Sequence, residues 1–162
     1  MAKALLFIPD ISGFTEFVNT TEVTHSRHVI AELLELLIDS NIYKLELAEI
    51  EGDVLFFYKV TENPDSKKLY EQGHHLYNTF FKHLHLLNNH RICPCNACAT
   101  APNLKLKIIV HYGDIDFISV KEQRKPFGPE VIKVHRLLKN DVPFHNYLLM
   151  TEEGKCIMVK KL

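Results

Sequence analysis

The sequence alternates between short apolar runs and longer segments whose apolar residues recur with helical spacing. The runs at 4–8 and 54–58 are continuous and rich in Leu, Ile, Val and Phe, which is typical of buried strands. Between them, one segment keeps the 3.6-residue period of an amphipathic helix, with apolar residues at Val29, Ile30, Leu33, Leu34, Leu37 and Ile38. The chain therefore mixes strands and helices.

Applied along the whole chain, this pattern predicts the order β-α-α-β-β-α-β-β-α-β. The predicted strands are 3–9, 43–48, 54–58, 104–111, 115–120 and 147–150, and the predicted helices are 13–19, 24–40, 64–89 and 127–140. Two hairpins are expected, with turns at Gly52-Asp53 and Tyr112-Gly113-Asp114, and residues 121–125 are expected to be a polar loop. This order predicts an α+β sandwich of the ferredoxin-like kind, with a mostly antiparallel sheet and helices on one face.

Length and charge narrow the class of protein. The 162 residues predict one domain over 1–152, with a cysteine-rich insert at 90–102 and a basic C-terminal tail at 153–162. A net charge of −1 gives no basic field for nucleic acid or an anionic membrane. With no apolar run of about 20 residues and no signal-peptide pattern, we expect a cytoplasmic protein.

The first chemical motif follows the first predicted strand. Asp10 stands where that strand ends, and Ser12-Gly13 leads into the helix that begins near Phe14. A carboxylate binds hard cations such as Mg²⁺, and the N–H groups at a helix start attract phosphate oxygens. The alternative is that Asp10 and Ser12 only cap the helix.

A second carboxylate, Asp53, stands at the tip of the first predicted hairpin. If this hairpin lies beside the first strand, Asp10 and Asp53 face each other at one edge of the sheet. Two carboxylates there could hold two divalent cations around a triphosphate, which is the arrangement of two-metal phosphoryl transfer.

At these residues the sequence resembles the class III adenylate and guanylate cyclase catalytic domains, as a divergent subgroup. Residues 10–15 match their first metal motif, which is Asp-x-x-Gly-Phe-Thr. Residues 49–53 match their second motif, in which a Lys or Glu is followed by two residues and then by Gly-Asp. A third region, with an aromatic residue and Gly before a helix, resembles residues 127–136. The resemblance runs from about residue 3 to 152.

The resemblance implies roles for individual residues. Asp10, Asp53 and the Ile11 carbonyl would bind Mg²⁺ or Mn²⁺, and Arg136 would stabilise charge on the transferring phosphate. The phosphate-binding residues would be Gly13, Phe14 and Thr15, and the base-recognition positions are Glu49 and Lys125. It further implies a nucleoside triphosphate ligand and a head-to-tail homodimer, in which metal ligands and base-reading residues come from different chains.

The sequence also departs from the family pattern. Glu49 indicates guanine, because a carboxylate accepts hydrogen bonds from the guanine N1–H and amino group, but Lys125 matches neither the Asp nor the Cys usual at the partner position. Ile132 replaces the Asn expected four residues before Arg136. The late phosphate-binding Lys has only stand-ins, at Lys155, Lys160 and Lys161.

A second metal site is predicted from the cysteine-rich insert. His90, Cys93, Cys95 and Cys98 place four soft ligands within nine residues, a composition that favours Zn²⁺, with Cys156 as a distant candidate. An iron–sulfur centre, a redox-active pair and thiols without a ligand are the alternatives. His25 and His28 have no obvious partner in the sequence.

The expected function is therefore conversion of GTP or ATP to a cyclic nucleotide and pyrophosphate by two-metal phosphoryl transfer at a dimer interface. The alternative is a catalytically degenerate domain that binds nucleotide or metal, or that acts as a signalling or interaction module. The first follows from Asp10, Asp53 and Arg136, and the second from Ile132 and Lys125.

Overall fold

The computed structural model describes residues 1–90, 93–152 and 155–162. Its strands are β1 Ala2–Ser12, β2 Glu46–Glu51, β3 Val54–Val60, β4 Lys105–Val120, β5 Gln123–Phe127, β6 Tyr147–Glu152 and β7 Lys155–Lys161. Its helices are α1 Phe14–Thr20, α2 Val23–Asp39, α3 Ser66–His90, α4 Asn96–Thr100 and α5 Pro129–Arg136, and a 3₁₀ turn covers Ala101–Asn103.

The strands form one seven-stranded sheet in the order β2-β3-β1-β4-β6-β7, and β5 pairs with the far end of β4. Among the strands that the structure describes, only β4 and β6 pair in parallel. The predicted α+β class with a mostly antiparallel sheet is confirmed. Among the described helices, none combines the length and hydrophobicity needed to cross a bilayer.

The apolar core has two layers, one on each face of the sheet. Leu5, Phe7 and Ile11 of β1 pack on the side of α2 and α3, whereas Ala4, Leu6 and Ile8 pack on the other side with Val134 of α5. The alternation of side chains along a strand produces this division. The prediction that the helices lie on one face was therefore wrong, because α5 covers the second face.

The second predicted hairpin is also wrong. Residues 112–114 do not turn; β4 continues through them and pairs with β1, with Gly113 opposite Ala4. A Cβ at Gly113 would lie 3.0 Å from the Glu130 side chain and 3.2 Å from His111 Nε2. The absence of a side chain at Gly113 therefore lets His111 and Glu130 pack closely against the strand. Close approach of this kind is a typical reason for glycine inside a strand.

Several further boundaries differ from the sequence prediction: β1 runs to Ser12, beyond its predicted end at residue 9, and β2 covers Glu46–Glu51, where 43–48 was predicted. The polar loop predicted at 121–125 is a tight turn at Lys121 (φ 54°) followed by β5. Helix α5 ends at Arg136, four residues before the predicted end. The basic tail contains β7, which pairs with β6 and extends the sheet.

Candidate functional site

The first pocket, here called the acidic pocket, lies where β1 ends and α1 begins. It encloses about 260 Å³ and is lined by Asp10, Ile11, Ser12, Gly13, Phe14, Thr15, Glu16, Asp53 and Lys107. Asp10 is paired with Val54 in the sheet, and the Ile11 N–H donates to the Asp53 carbonyl at 3.1 Å. The structure thus brings together the three residues predicted to bind Mg²⁺ or Mn²⁺ and residues 13–15, which were predicted to bind phosphate.

The two carboxylates of the acidic pocket repel each other. Burial, the charge of Asp10 and a hydrogen bond with Asp10 together raise the pKa of Asp53 to about 7, and burial is the largest cause. Asp10 itself is only 8% exposed. The two carboxylates are therefore poorly solvated, and a cation bound in the acidic pocket would relieve the repulsion between them.

Lys107 supplies a positive charge to the acidic pocket. It stands opposite Asp10 in the β1–β4 ladder, and its Nζ lies 3.1 Å from Asp10 Oδ2. The same ammonium donates to the Leu138 carbonyl at 2.7 Å. Lys107 was not among the predicted site residues, because its position beside Asp10 depends on the register of strands nearly one hundred residues apart.

The backbone at the start of α1 suits an anion. Gly13 has a φ of 88°, a conformation that disfavours side chains, and it precedes the first turn of the helix. Within the described part of the chain, no side chain caps this helix start. The first N–H groups of α1 therefore face the acidic pocket without a side-chain acceptor, although Glu16 adds a negative charge at its rim.

The second pocket, here called the Glu49 pocket, lies between β2, β5 and α5. It has a volume of about 540 Å³, within the range of small-molecule sites. Its lining combines apolar and charged side chains: Ala48, Glu49, Glu51, Phe56, Lys125, Pro126, Val131, Ile132, His135, Arg136 and Lys139. Glu49, Lys125 and Arg136, which the resemblance assigned to base recognition and catalysis, therefore share one pocket.

Glu49 and Lys125 form an ion pair across the mouth of this pocket. Lys125 Nζ lies 2.8 Å from Glu49 Oε1, with both side chains about one-third exposed. This hydrogen bond is the largest cause that lowers the pKa of Glu49. The pair presents one carboxylate acceptor and one ammonium donor side by side.

Arg136 and Ile132 project from the same face of α5, since they are one helical turn apart. Ile132 is 56% exposed, so its apolar side chain occupies the pocket wall where a polar side chain was expected. Arg136 is exposed and, within the described residues, makes no ion pair. Lys160 and Lys161 instead lie over the rings of Tyr70 and Phe144, and among the described residues neither lines the acidic or the Glu49 pocket.

The acidic pocket and the Glu49 pocket have no lining residue in common. The tip of the β2–β3 hairpin separates them, with Glu51 in the Glu49 pocket and Asp53 in the acidic pocket. The chain thus carries two separate pockets.

The cysteine-rich insert forms a third group of polar side chains. His25 Nδ1 lies 2.9 Å from Cys95 Sγ and 3.4 Å from Cys93 Sγ. The prediction that His25 has no partner was wrong. Helix α2 brings His25 to the insert, although the two are about seventy residues apart in the sequence. The side chains of His90, Cys98, Lys155 and Cys156 lie outside the described part of the structure, so their predicted roles remain predictions.

Comparison with known sequences gives two matches. A family model described as "Protein of unknown function (DUF2652)" matches residues 30–147. The uncharacterized protein Rv2561/Rv2562 of Mycobacterium tuberculosis is 33% identical over 123 residues, which cover 76% of this chain and 57% of that protein. The chain therefore spans little more than half the length of this curated relative.

Comparison with solved structures identifies nucleotidyl cyclase catalytic domains. Adenylyl cyclase CyaB from P. aeruginosa matches with a TM-score of 0.69 and 16% identity. The match covers 93% of this chain and 76% of the CyaB chain. The guanylyl cyclase Cya2 has a TM-score of 0.68 and 12% identity, with 93% and 77% covered. The guanylate cyclase domain of RhGC from Catenaria anguillulae, solved with GTP, has a TM-score of 0.57 and 13% identity, with 93% and 78% covered. At these identities the likeness establishes the fold.

The raised pKa of Asp53 predicts a specific pH dependence of stability in metal-free protein. The unfolded chain loses this proton near pH 4, about its ordinary value, whereas the folded chain keeps it to about pH 7. The folded state binds more protons between these values, so the free energy of unfolding falls as pH rises from about 4 to 7. Asp53→Asn removes this fall. Above pH 7 the free energy of unfolding of the variant should therefore exceed that of the wild type by on the order of 1 kcal/mol.

The measurement is urea unfolding in EDTA at several pH values, with the exposed Asp39→Asn as the matched control. Other titrating groups cancel in the difference between variant and wild type. Parallel stability curves for Asp53→Asn and the wild type would contradict the assignment.

Proposed function

We propose a function for this chain, which belongs to the family described as "Protein of unknown function (DUF2652)". Its cyclase-type fold binds a purine nucleoside triphosphate and a divalent cation between two copies of the chain. One observation carries this proposal. The acidic pocket and the Glu49 pocket share no lining residue, and each offers what the other lacks. A nucleotide can use both kinds of pocket when a second protomer contributes the missing one.

The acidic pocket supports binding of the triphosphate. Asp10, Asp53 and the Ile11 carbonyl offer the oxygen ligands that Mg²⁺ or Mn²⁺ prefers, and such an ion would offset the burial and the Asp10 charge that raise the pKa of Asp53. When bound, the ion supplies positive charge to the phosphate oxygens. Lys107 and the first N–H groups of α1 are the chain's own donors to the same oxygens.

The Glu49 pocket supports recognition of a purine. Its apolar wall, with Phe56, Val131 and Ile132, suits a flat ring, and the Glu49–Lys125 pair reads the ring's edge. Guanine fits this pair well, because a carboxylate accepts from both N1–H and the amino group while an ammonium donates to O6. GTP is therefore the proposed ligand, in agreement with the GTP held by one of the similar cyclase structures.

Exposed apolar side chains around the Glu49 pocket support an interface between two copies. The members of this group are between 39% and 58% exposed and lie on β2, the end of β4, β5 and α5: Leu47, Ile50, Ile118, Val120, Phe127 and Ile132. Apolar side chains gathered at one place on a surface are typical of a protein–protein contact. The proposed homodimer covers them and joins an acidic pocket to a Glu49 pocket.

Cyclisation of the bound nucleotide is the second candidate function. It is favoured by Arg136, whose guanidinium lies in the Glu49 pocket and could stabilise charge on a transferring phosphate. It is opposed by Ile132, which cannot donate or accept a hydrogen bond to orient a ribose. Binding without efficient turnover therefore agrees best with the side chains of the Glu49 pocket.

Nucleotide binding is tested by thermal shift with GTP and Mn²⁺, at protein concentrations that permit dimerisation. The wild type should show a rise in Tm of several degrees, since ligand at about 100 times its Kd adds about 2.7 kcal/mol. Asp53→Ala should lose the part of this rise that requires Mn²⁺, whereas the exposed Asp39→Ala should keep it. An equal Mn²⁺-dependent rise in both variants would remove Asp53 from the binding site.

Turnover is tested on the same proteins by measuring cyclic GMP and cyclic AMP. Because one lost polar contact to a transition state costs about 10²–10³ in rate, we expect a very low wild-type rate that increases in Ile132→Asn and disappears in Arg136→Ala. Lys82→Ala, an exposed cation on α3, is the control. A wild-type rate that Arg136→Ala leaves unchanged would contradict the role given to Arg136; no product in either the wild type or Ile132→Asn would exclude cyclisation and leave the binding function.

A further inference from the structure

The side chains of His25, Cys93 and Cys95 converge from two distant parts of the chain. The ligand atoms, one from each residue, all lie within 4.8 Å of one another. His25 belongs to the first turn of α2, while Cys93 and Cys95 precede α4. This convergence is independent of the acidic pocket and the Glu49 pocket, since none of the three residues lines either one.

The donor set is that of a zinc site. Zinc bonds to Cys sulfur at about 2.3 Å and to His nitrogen at about 2.0 Å, so its tetrahedral ligands lie about 3.5–3.8 Å apart. The observed separations differ from this by about 1 Å or less, which small side-chain rotations can supply. Two thiolates and an imidazole nitrogen are soft ligands, which Mg²⁺ and Ca²⁺ disfavour.

We propose that His25 Nδ1, Cys93 Sγ and Cys95 Sγ are three of the four tetrahedral ligands of one Zn²⁺. Binding requires both thiols to lose their protons and the imidazole to be neutral. The ion has a route to this position, because Cys93 also lines an open groove of about 620 Å³ with Arg27, His28 and Val29. This proposal goes beyond nucleotide binding and does not depend on it.

The zinc site would fix the cysteine-rich insert against α2, the helix that follows α1. The Ala97 N–H of α4 already donates to Glu22 Oε2 at 3.4 Å, which ties α4 to the start of α2. A further cavity is lined on one side by Gly13 and Glu16 at the start of α1 and on the other by Thr100 and Asn103. Zinc therefore holds together the segments that pack behind the phosphate-binding end of α1.

The first experiment is elemental analysis of the full chain purified without oxygen and without an affinity metal column. We expect about one zinc per chain. His25→Ala and Cys95→Ser should each weaken zinc affinity by more than about 100-fold, measured by competition with a chromophoric chelator, because losing a direct ligand exceeds the 10–100-fold cost of losing a ligand's supporting partner. His75→Ala, an exposed histidine on α3 that lies outside the cluster and its groove, should keep the wild-type affinity.

Cobalt substitution tests the ligand set separately. Co²⁺ in place of zinc should give the intense visible bands of tetrahedral coordination and a sulfur charge-transfer band, and Cys93→Ser should reduce the charge-transfer band by about half, as expected for one of two thiolates. A chain that contains no zinc and acquires none from added Zn²⁺ would overturn the proposal. So would iron with sulfide in place of zinc, or zinc binding that His25→Ala leaves unchanged.

Discussion

Two carboxylates, Asp10 and Asp53, are held side by side because β1 lies between β3 and β4 in the sheet. The hydrogen bond from the Ile11 N–H to the Asp53 carbonyl fixes the hairpin tip against the end of β1. Burial and mutual repulsion then keep a proton on Asp53 up to about pH 7, and Lys107 offsets only part of the charge. The start of α1, the proposed cation and the proposed triphosphate all depend on this juxtaposition. The Glu49 pocket lies on the other side of the hairpin tip, so the same strand arrangement separates the two pockets.

Much of the site could be predicted from the sequence, because its residues occur in short local patterns. Asp10 follows an apolar run and Asp53 follows a Gly at a hairpin tip, so strand ends and turns alone place both carboxylates. Residues 127–136 contain a Gly-Pro helix start, which fixes the face from which Arg136 projects. The fold class followed from the order of strands and helices, and the neighbouring cyclase structures agree with it.

The features that were missed depend on contacts between distant segments. Gly113 was interpreted as a turn, whereas its role is to make room for His111 and Glu130 inside β4. Strand β5 has the sequence Gln-Arg-Lys-Pro-Phe, without apolar alternation, and it is a strand because β4 offers an unpaired edge beyond β1. Lys107 and His25 each meet their partners through the tertiary fold. Local patterns cannot reveal these pairings, since the register and helix packing that create them are set by the whole core.

The central claim is that one nucleotide site is completed by two protomers, and complementation between inactive variants tests it most directly. Asp53→Ala removes the acidic half, and a Glu49→Ala, Lys125→Ala double variant removes the base-reading half without leaving an unpaired charge. The measurement is Mn²⁺-dependent GTP binding by titration calorimetry, for each variant alone and for an equimolar mixture whose subunit exchange is verified with two affinity tags. The account predicts almost no binding by either variant and recovery of about one quarter of the wild-type sites in the mixture, since half of the randomly formed dimers carry one intact site of two. No recovery in a mixture that exchanges subunits would contradict it.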